Sequence, residues 1–598
     1  MVPYDRPFVG PLDDQVTDEA PAAGDPERPT ASISGVGTRT VPVLPDGVLT
    51  AVAFTIVAVP FAYAALRLAT ASTAHLTLPD DLALIDLHVR RALAWKQQLG
   101  VFDHYGWNHP GPSYFYLQSV FYRVLGSNAR SLFVGATLLN GLSAMACVAV
   151  VRRRTTAERA LWAALWVCVL AAALATGGAS ATTYSESVLG ALVSPWNPTV
   201  VLFPLLLVIL LSAGALDRSG VSLVGALVVG SYVVQTDVST APLVLVIVVA
   251  AGLAWLVTSI RDRRHPRSPA VPPTSGPRAA VLAAVGLVVF VVMWLPPLVQ
   301  QFTNHPGNLT LIARFFDAGH PGQPVTGALW AVAAGAAVLV IGPGEIMASL
   351  LGGTPSHAAL AVAVLAIAVV LAGVTTVAAG RRRARFAFGV GALTLLGLVT
   401  SVVAVTHVVG FIFGYLVLWI VVLPVAALIS IGMVPRRPAG VHAGPRPTGT
   451  GLRATLCVVA LVVGVVACVR VAAIPPLARA GDPAVGRLAA LVVPHLAPGQ
   501  RVAVGDAGAG TTDTLLLDVE RFVGLVDALD RAGYHPTVNK DWKLQLGPGY
   551  LGDGTEPRRI TLTTWTPSSA GLPGYVGHVG DMAVTVTDRS GTPAPPTG

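Results

Sequence analysis

Eleven separate stretches of this chain are apolar over roughly the thickness of a bilayer, and that repetition decides what it can become. They lie near Val48–Ala69, Leu132–Val151, Ala160–Thr176, Val200–Ala215, Val221–Val234, Ala241–Ser259, Ala279–Leu298, Ala358–Ala379, Phe386–Val405, Gly410–Val434 and Leu456–Ile474. A helix needs about 20 such residues to cross the hydrocarbon layer. Inside that layer each backbone polar group must be satisfied within the segment, and a helix does this. With 53% hydrophobic against 12% charged residues, a water-soluble body of 598 residues could not be covered by polar side chains. The sequence predicts an α-helical polytopic membrane protein.

Arginine sets the orientation. The clusters Arg152–Arg154, Arg261–Arg267, Arg381–Arg385 and Arg436–Arg437 fall in short loops between the apolar stretches, and such loops face the cytoplasm. The net charge of +8 is thus explained by topology, and no nucleic-acid partner is expected. One piece, Gly327–Gly342, is apolar but short and rich in Ala and Gly. Counting it as a span would put Arg381–Arg385 outside, so it is expected to be interfacial or re-entrant. That leaves eleven spans in the plasma membrane, with the N-terminus cytoplasmic.

Residues 1–46 are rich in Pro, Asp, Gly and Thr without apolar periodicity and read as a disordered cytoplasmic tail. Val48–Ala69 is too long and too late for a cleaved signal peptide. The transmembrane domain covers 47–474, with a large first outer loop at 70–130. From 475 to 585 the hydropathy drops and strand-like and helix-like patterns alternate, which predicts a small extracytoplasmic α/β domain, followed by a disordered end at 586–598. Gly505–Gly510 lacks the lysine of a phosphate-binding loop. All four cysteines lie in apolar stretches, without the spacing of a zinc site or a disulfide framework.

The chemistry-bearing residues concentrate in the outer loops. Leu78–Arg91 reads LPDDLALIDLHVRR and sets Asp80, Asp81 and Asp86 beside the membrane, where ionisable groups are costly and mark function. Asp80 or Asp81 can equally cap a helix that begins after Pro79, and Asp86 with Arg90 can be an ordinary i,i+4 pair. As acid/base groups, the carboxylates suit removal of a proton from an attacking hydroxyl. His88, Arg90 and Arg91 would then face a phosphate leaving group. Farther along, Tyr105–Tyr116 carries Trp107, Asn108 and His109 ahead of a Pro-Gly-Pro turn. This is either an interfacial aromatic belt or a sugar-binding wall. Trp196 and Asn197 in Ser194–Pro198 repeat the Trp-Asn pairing. Tyr184 and Glu186 precede them, and Asp237 sits at a short outer turn. Trp294–His305, in the third outer loop, is placed to cover a cavity formed by the others.

Taken in order, Asp80–Asp86, Trp107–Pro112, Ser194–Pro198 and Trp294–Pro297 resemble the GT-C superfamily, and within it an actinobacterial group of GT-C-like membrane proteins. These are integral-membrane glycosyltransferases that use lipid-phosphate-linked sugars. The resemblance covers about residues 47–474. It implies a polyprenyl-phosphate sugar donor, a cell-envelope glycan, lipid or protein as acceptor, and a catalytic carboxylate in the first outer loop. That role falls on Asp81 or Asp80, with Asp86 as a second carboxylate. The superfamily has members with and without a divalent cation, and no ligand set in the sequence indicates one. Two other readings are a transporter or lipid flippase, which would carry internal repeats and charged residues within spans, and an inactive GT-C-like scaffold of the envelope machinery.

Overall fold

The computed structural model describes residues 44–73, 76–176, 189–264, 277–343, 357–435, 448–506 and 512–596. Of the expected tail at 1–46, residues 1–43 lie outside them, as do Tyr184 and Glu186, while Asp46 already begins the first helix. Among the described residues ten helices are long and apolar enough to cross a membrane: Asp46–Ala69, Ala129–Arg154, Ala157–Leu174, Asn197–Leu216, Val238–Arg261, Pro277–Thr303, Ala358–Arg381, Arg385–Thr406, Tyr415–Gly432 and Gly451–Ala472. The chain is an α-helical polytopic membrane protein. The eleventh expected span folds as Gly220–Thr236, only 17 residues, or about 26 Å at 1.5 Å per residue.

The helices pack as membrane helices do, with small residues where backbones approach. Asp46–Ala69 lies against Ala129–Arg154, Ala157–Leu174 and the last span, Thr448–Ala472. Asn197–Leu216 is almost wholly enclosed, whereas the apolar window of Pro277–Thr303 has no buried residue and turns its valines and leucines outward. Pro297 in that peripheral helix has no N–H for the carbonyl of Met293, four residues back. Gln235 Nε2 donates to that carbonyl at 3.1 Å, and Trp294 Nε1 donates to Ser231 Oγ at 3.0 Å. These two bonds tie the outer helix to Gly220–Thr236.

The awkward segment 327–342 forms the helix Val325–Ile341 and is buried rather than interfacial. Its Ala and Gly content reflects close packing: a Cβ on Gly335 would lie 2.6 Å from the Val417 carbonyl. Gln323 N donates to Thr406 O at 2.9 Å, and a Cβ on Gly342 would lie 2.8 Å from Thr176 Oγ1. Thr406 ends, and Thr176 follows, a helix that starts beside an arginine cluster. Both ends of Val325–Ile341 therefore lie on one side of the bundle.

The loop at 70–130 contains the helix Asp80–Leu93, a short hairpin of β1 (Phe102–Asp103) and β2 (Trp107–Asn108), and the helix Ser113–Val124. Gly106 supplies the positive φ (+86°) at the hairpin turn. After the last span come the helix Pro483–Val492, β3 (Arg501–Asp506), the helix Thr512–Arg531, β4 (His535–Thr537), β5 (Arg558–Thr564), β6 (Tyr575–Val579) and β7 (Met582–Asp588). The sheet order is β4-β3-β5-β7-β6, with β3 parallel to β4 and β5 and the remaining pairs antiparallel. A boundary at 585 falls inside β7. The chain turns back after Asp588, whose Oδ1 accepts from Ser590 N and Thr592 N at 2.9 Å, and Ala594 is buried. Thr512–Arg531 lies directly against Asp80–Leu93, joining the sheet domain to the first loop.

Candidate active site

Pro79 keeps the chain extended (φ −95°, ψ 168°) up to the start of the first-loop helix, whose opening turn then presents Asp80 and Asp81. Negative charge is favoured at a helix N-terminus. Asp81 Oδ2 accepts a hydrogen bond from Trp196 Nε1 at 2.7 Å. Trp196 is fixed in turn: its N–H donates to Ser194 Oγ at 3.2 Å, and Tyr114 OH donates to the adjoining Pro195 carbonyl at 2.5 Å. Next to it, the Asn197 carboxamide lies 3.1 Å from His109 Nε2. His109 Nδ1 accepts from Val238 N at 3.0 Å, which leaves the ring proton on Nε2. Asp237 Oδ1 accepts from Ser239 N at 3.0 Å and so anchors the same turn.

These side chains line one cavity of about 730 Å³. Of the residues anticipated from the sequence, it brings together Asp80, Asp81, Trp107, His109, Trp196, Asn197 and Asp237. It adds Asp103 from the hairpin, Phe315 and Phe316 from the third loop, Tyr415 and Trp419 from the Tyr415–Gly432 span, and Val523, Trp542 and Gln545 from the C-terminal domain. Asn108 stands behind the wall. Its N–H donates to Asn308 Oδ1 and its carbonyl accepts from Asn308 Nδ2, both at 2.8 Å, which hooks the third loop onto β2.

Asp86, His88, Arg90 and Arg91 are not on the cavity wall, and the expectation that they serve the reaction directly is corrected here. Five residues along a helix is about 140° round it from Asp81, so Asp86 points to the seam with the C-terminal domain. There it is fully buried and pairs with Arg90 (2.9 Å) and Arg531. Arg90 also binds Asp527 and Asp530. His88 Nε2 donates to the Gln545 carbonyl at 2.9 Å, and Arg91 Nε donates to Gln97 Oε1 at 3.0 Å. Burial, then Arg91, pushes the His88 imidazole down to about 3, against the pull of the Gln545 carbonyl.

The wall is acidic. Asp80, Asp81, Asp103 and Asp237 line it, with no arginine or lysine among its described residues. Burial, and after it the Asp80 charge, pushes the Asp81 carboxyl up to about 8. The Trp196 hydrogen bond opposes this, while Glu520 and Asp103 add to it. Asp237 is raised by burial, with His109 opposing. Among the described residues no three His, Cys, Asp or Glu side chains converge as ligands for a metal ion. Trp196→Phe deletes the indole N–H that stabilises the Asp81 carboxylate. The rising limb of kcat/KM against pH is therefore expected to move alkaline in that variant, as read from a pH profile of turnover.

Sequence reasoning missed Asp103, whose only local signal was its place just ahead of the aromatic run that begins at Tyr105. It also missed Trp542 and Gln545, for which no local signal exists.

No protein-family model matches this chain, and no curated protein matches it. Among solved structures, it is similar to ArnT from Cupriavidus metallidurans bound to undecaprenyl phosphate, at TM-score 0.47 and 14% identity over 90% of this chain and 97% of that one. The apo state of the same protein aligns at TM-score 0.47 and 13% identity, over 92% and 99%.

Proposed function

We propose that this protein is a membrane glycosyltransferase of GT-C type. It moves a sugar from a polyprenyl-phosphate donor to a cell-envelope acceptor at the outer face of the plasma membrane, with Asp81 as general base. The observation that carries this reading is the Asp81 carboxyl: half-buried in a shared cavity, oriented by Trp196, and raised to about 8. A base works best with a pKa near the working pH. Asp81 accepts the proton of the acceptor hydroxyl as that oxygen bonds to the anomeric carbon. The bond from that carbon to the phosphate oxygen breaks, and the polyprenyl phosphate leaves with the electron pair. With Arg90 and Arg91 engaged at the domain seam, and His109 Nδ1 occupied as an acceptor, the wall groups able to carry positive charge toward that phosphate are His104 and His407.

A lipid-linked donor is supported by the cavity's rim. Leu245, Phe316 and Val403 belong to the wall, yet each is more than half exposed. In a helix bundle surrounded by lipid such residues are in place for an apolar tail. In this reading the N-terminus is cytoplasmic and the sheet domain extracytoplasmic. Purified full-length protein, given labelled sugars on polyprenyl phosphate or on nucleotide diphosphate, is expected to consume only the lipid-linked series. Turnover confined to nucleotide sugars would overturn the assignment.

A further inference from the structure

Three residues of the cavity wall, Val523, Trp542 and Gln545, belong to the C-terminal domain and not to the membrane bundle. The short segment carrying two of them is gripped by the first loop. His88 Nε2 donates to the Gln545 carbonyl at 2.9 Å, and Asn108 Nδ2 donates to the Leu544 carbonyl at 3.1 Å. The Arg91 guanidinium stands so close that a Cβ on Gly547 would lie 3.4 Å from its central carbon. Trp542 is seated from inside its own domain by Phe522, ring centroids 4.2 Å apart and 20° from parallel. Phe522 is fully buried, so the indole rests on a fixed base and is itself only half-buried.

Two wall residues hold polar atoms without partners. Gln545 Oε1 and Trp107 Nε1 are both buried and make no hydrogen bond among the described residues. Native proteins keep few such groups, and each calls for an explanation. One is an acceptor and the other a donor. Both residues line the cavity, and a hydroxyl group is donor and acceptor at once, so a polyhydroxylated ring offers the kind of partner each one lacks. The half-buried indole of Trp542 adds an apolar face for its C–H groups.

We propose that Lys540–Gly547 is the acceptor-recognition segment of this enzyme. It reads a hydroxyl-rich sugar ring through the Gln545 carboxamide and the Trp542 indole, with the Trp107 indole N–H as the complementary donor. The proposal rests on the glycosyltransferase reading and assigns the C-terminal domain a share of substrate choice. Arg91, His88 and Asn108 are then positioning residues, because they hold this segment against the cavity.

The test uses purified full-length protein, labelled polyprenyl-phosphate sugars as donors and octyl glycosides of glucose, galactose and mannose as acceptor probes. Gln545→Ala and Trp542→Ala are expected to raise KM for the glycoside about ten-fold, the scale of one lost hydrogen bond or ring contact. KM for the donor should rise far less. Trp542→Phe should recover most of the loss, which guards against a variant that merely folds poorly. Equal rises in both KM values, a fall in kcat alone, or no stimulation of the wild type by any glycoside would overturn the proposal. Failure of the wild type to release polyprenyl phosphate from any donor would instead remove the glycosyltransferase reading, and this inference with it.

Discussion

Asp81→Asn is expected to lower kcat by roughly 10²- to 10⁴-fold, the usual contribution of a positioned general base. The carboxamide has nearly the same volume, and its oxygen can still accept from the Trp196 indole at the position where Oδ2 now does. The cavity should therefore keep its shape while losing its proton acceptor. The pH dependence sharpens the test. A base must be deprotonated to act, so wild-type kcat/KM should climb with pH, reach half its plateau near 8, the value to which burial and Asp80 push the Asp81 carboxyl, and level off above it. Removing the like charge with Asp80→Asn lowers that value and shifts the limb toward acid. Removing the stabilising donor with Trp196→Phe shifts it toward alkali. Opposite displacements from two neighbours of one carboxyl are difficult to obtain from a general loss of structure. Near-wild-type turnover by Asp81→Asn, measured as release of polyprenyl phosphate, would rule Asp81 out as the base.

Arg531→Met should cost about 3–5 kcal/mol of stability, the range for breaking a buried ion pair by removing one partner. The seam gathers three carboxylates, Asp86, Asp527 and Asp530, around two guanidiniums, Arg90 and Arg531. Asp86 and Asp527 are almost completely buried. Taking away one cation leaves three acids facing Arg90 alone. Burial and the Asp86 charge already hold Asp527 well above the usual carboxylate range despite both arginines. The measured outcome is a sharp rise in protease cleavage between the last span and β3, with the membrane helices intact. A companion change, Asp86→Leu with Arg531→Met, removes a buried charge of each sign together and should restore part of the loss. If the single variant resists protease as the wild type does, the cluster does not hold the two domains together.

The membrane helices could be read almost directly, because a run such as Ala358–Ala379 has no stable alternative in lipid. Gly220–Thr236 shows the limit: its apolar run was clear, but its length falls just short of a full span. The aspartate doublet, Trp196, Asn197, His109 and Asp237 were also recognisable, as polar groups at the ends of apolar runs. The seam was not. Asp86 and Arg90 have the spacing of a routine surface pair, and what buries them is a helix some 440 residues later in the chain. Trp542 and Gln545 reach the cavity through the same docking. Helix periodicity alone could have separated Asp86 from Asp81, since positions five apart do not share a face. No local pattern could have named Arg531 or Asp527 as the partners.

Asp80 begins its helix with φ +46°, a left-handed backbone that only glycine enters without penalty. A residue held there against its preference, at the edge of a reactive chamber, stores conformational tension of the order of 1 kcal/mol or more. Replacement by glycine would relax that tension and remove a charge that keeps the neighbouring carboxyl basic. Heat tolerance and the basicity of the catalytic carboxyl are thus opposed at a single position, and selection for a hardier protein would displace the pH range in which the catalyst runs.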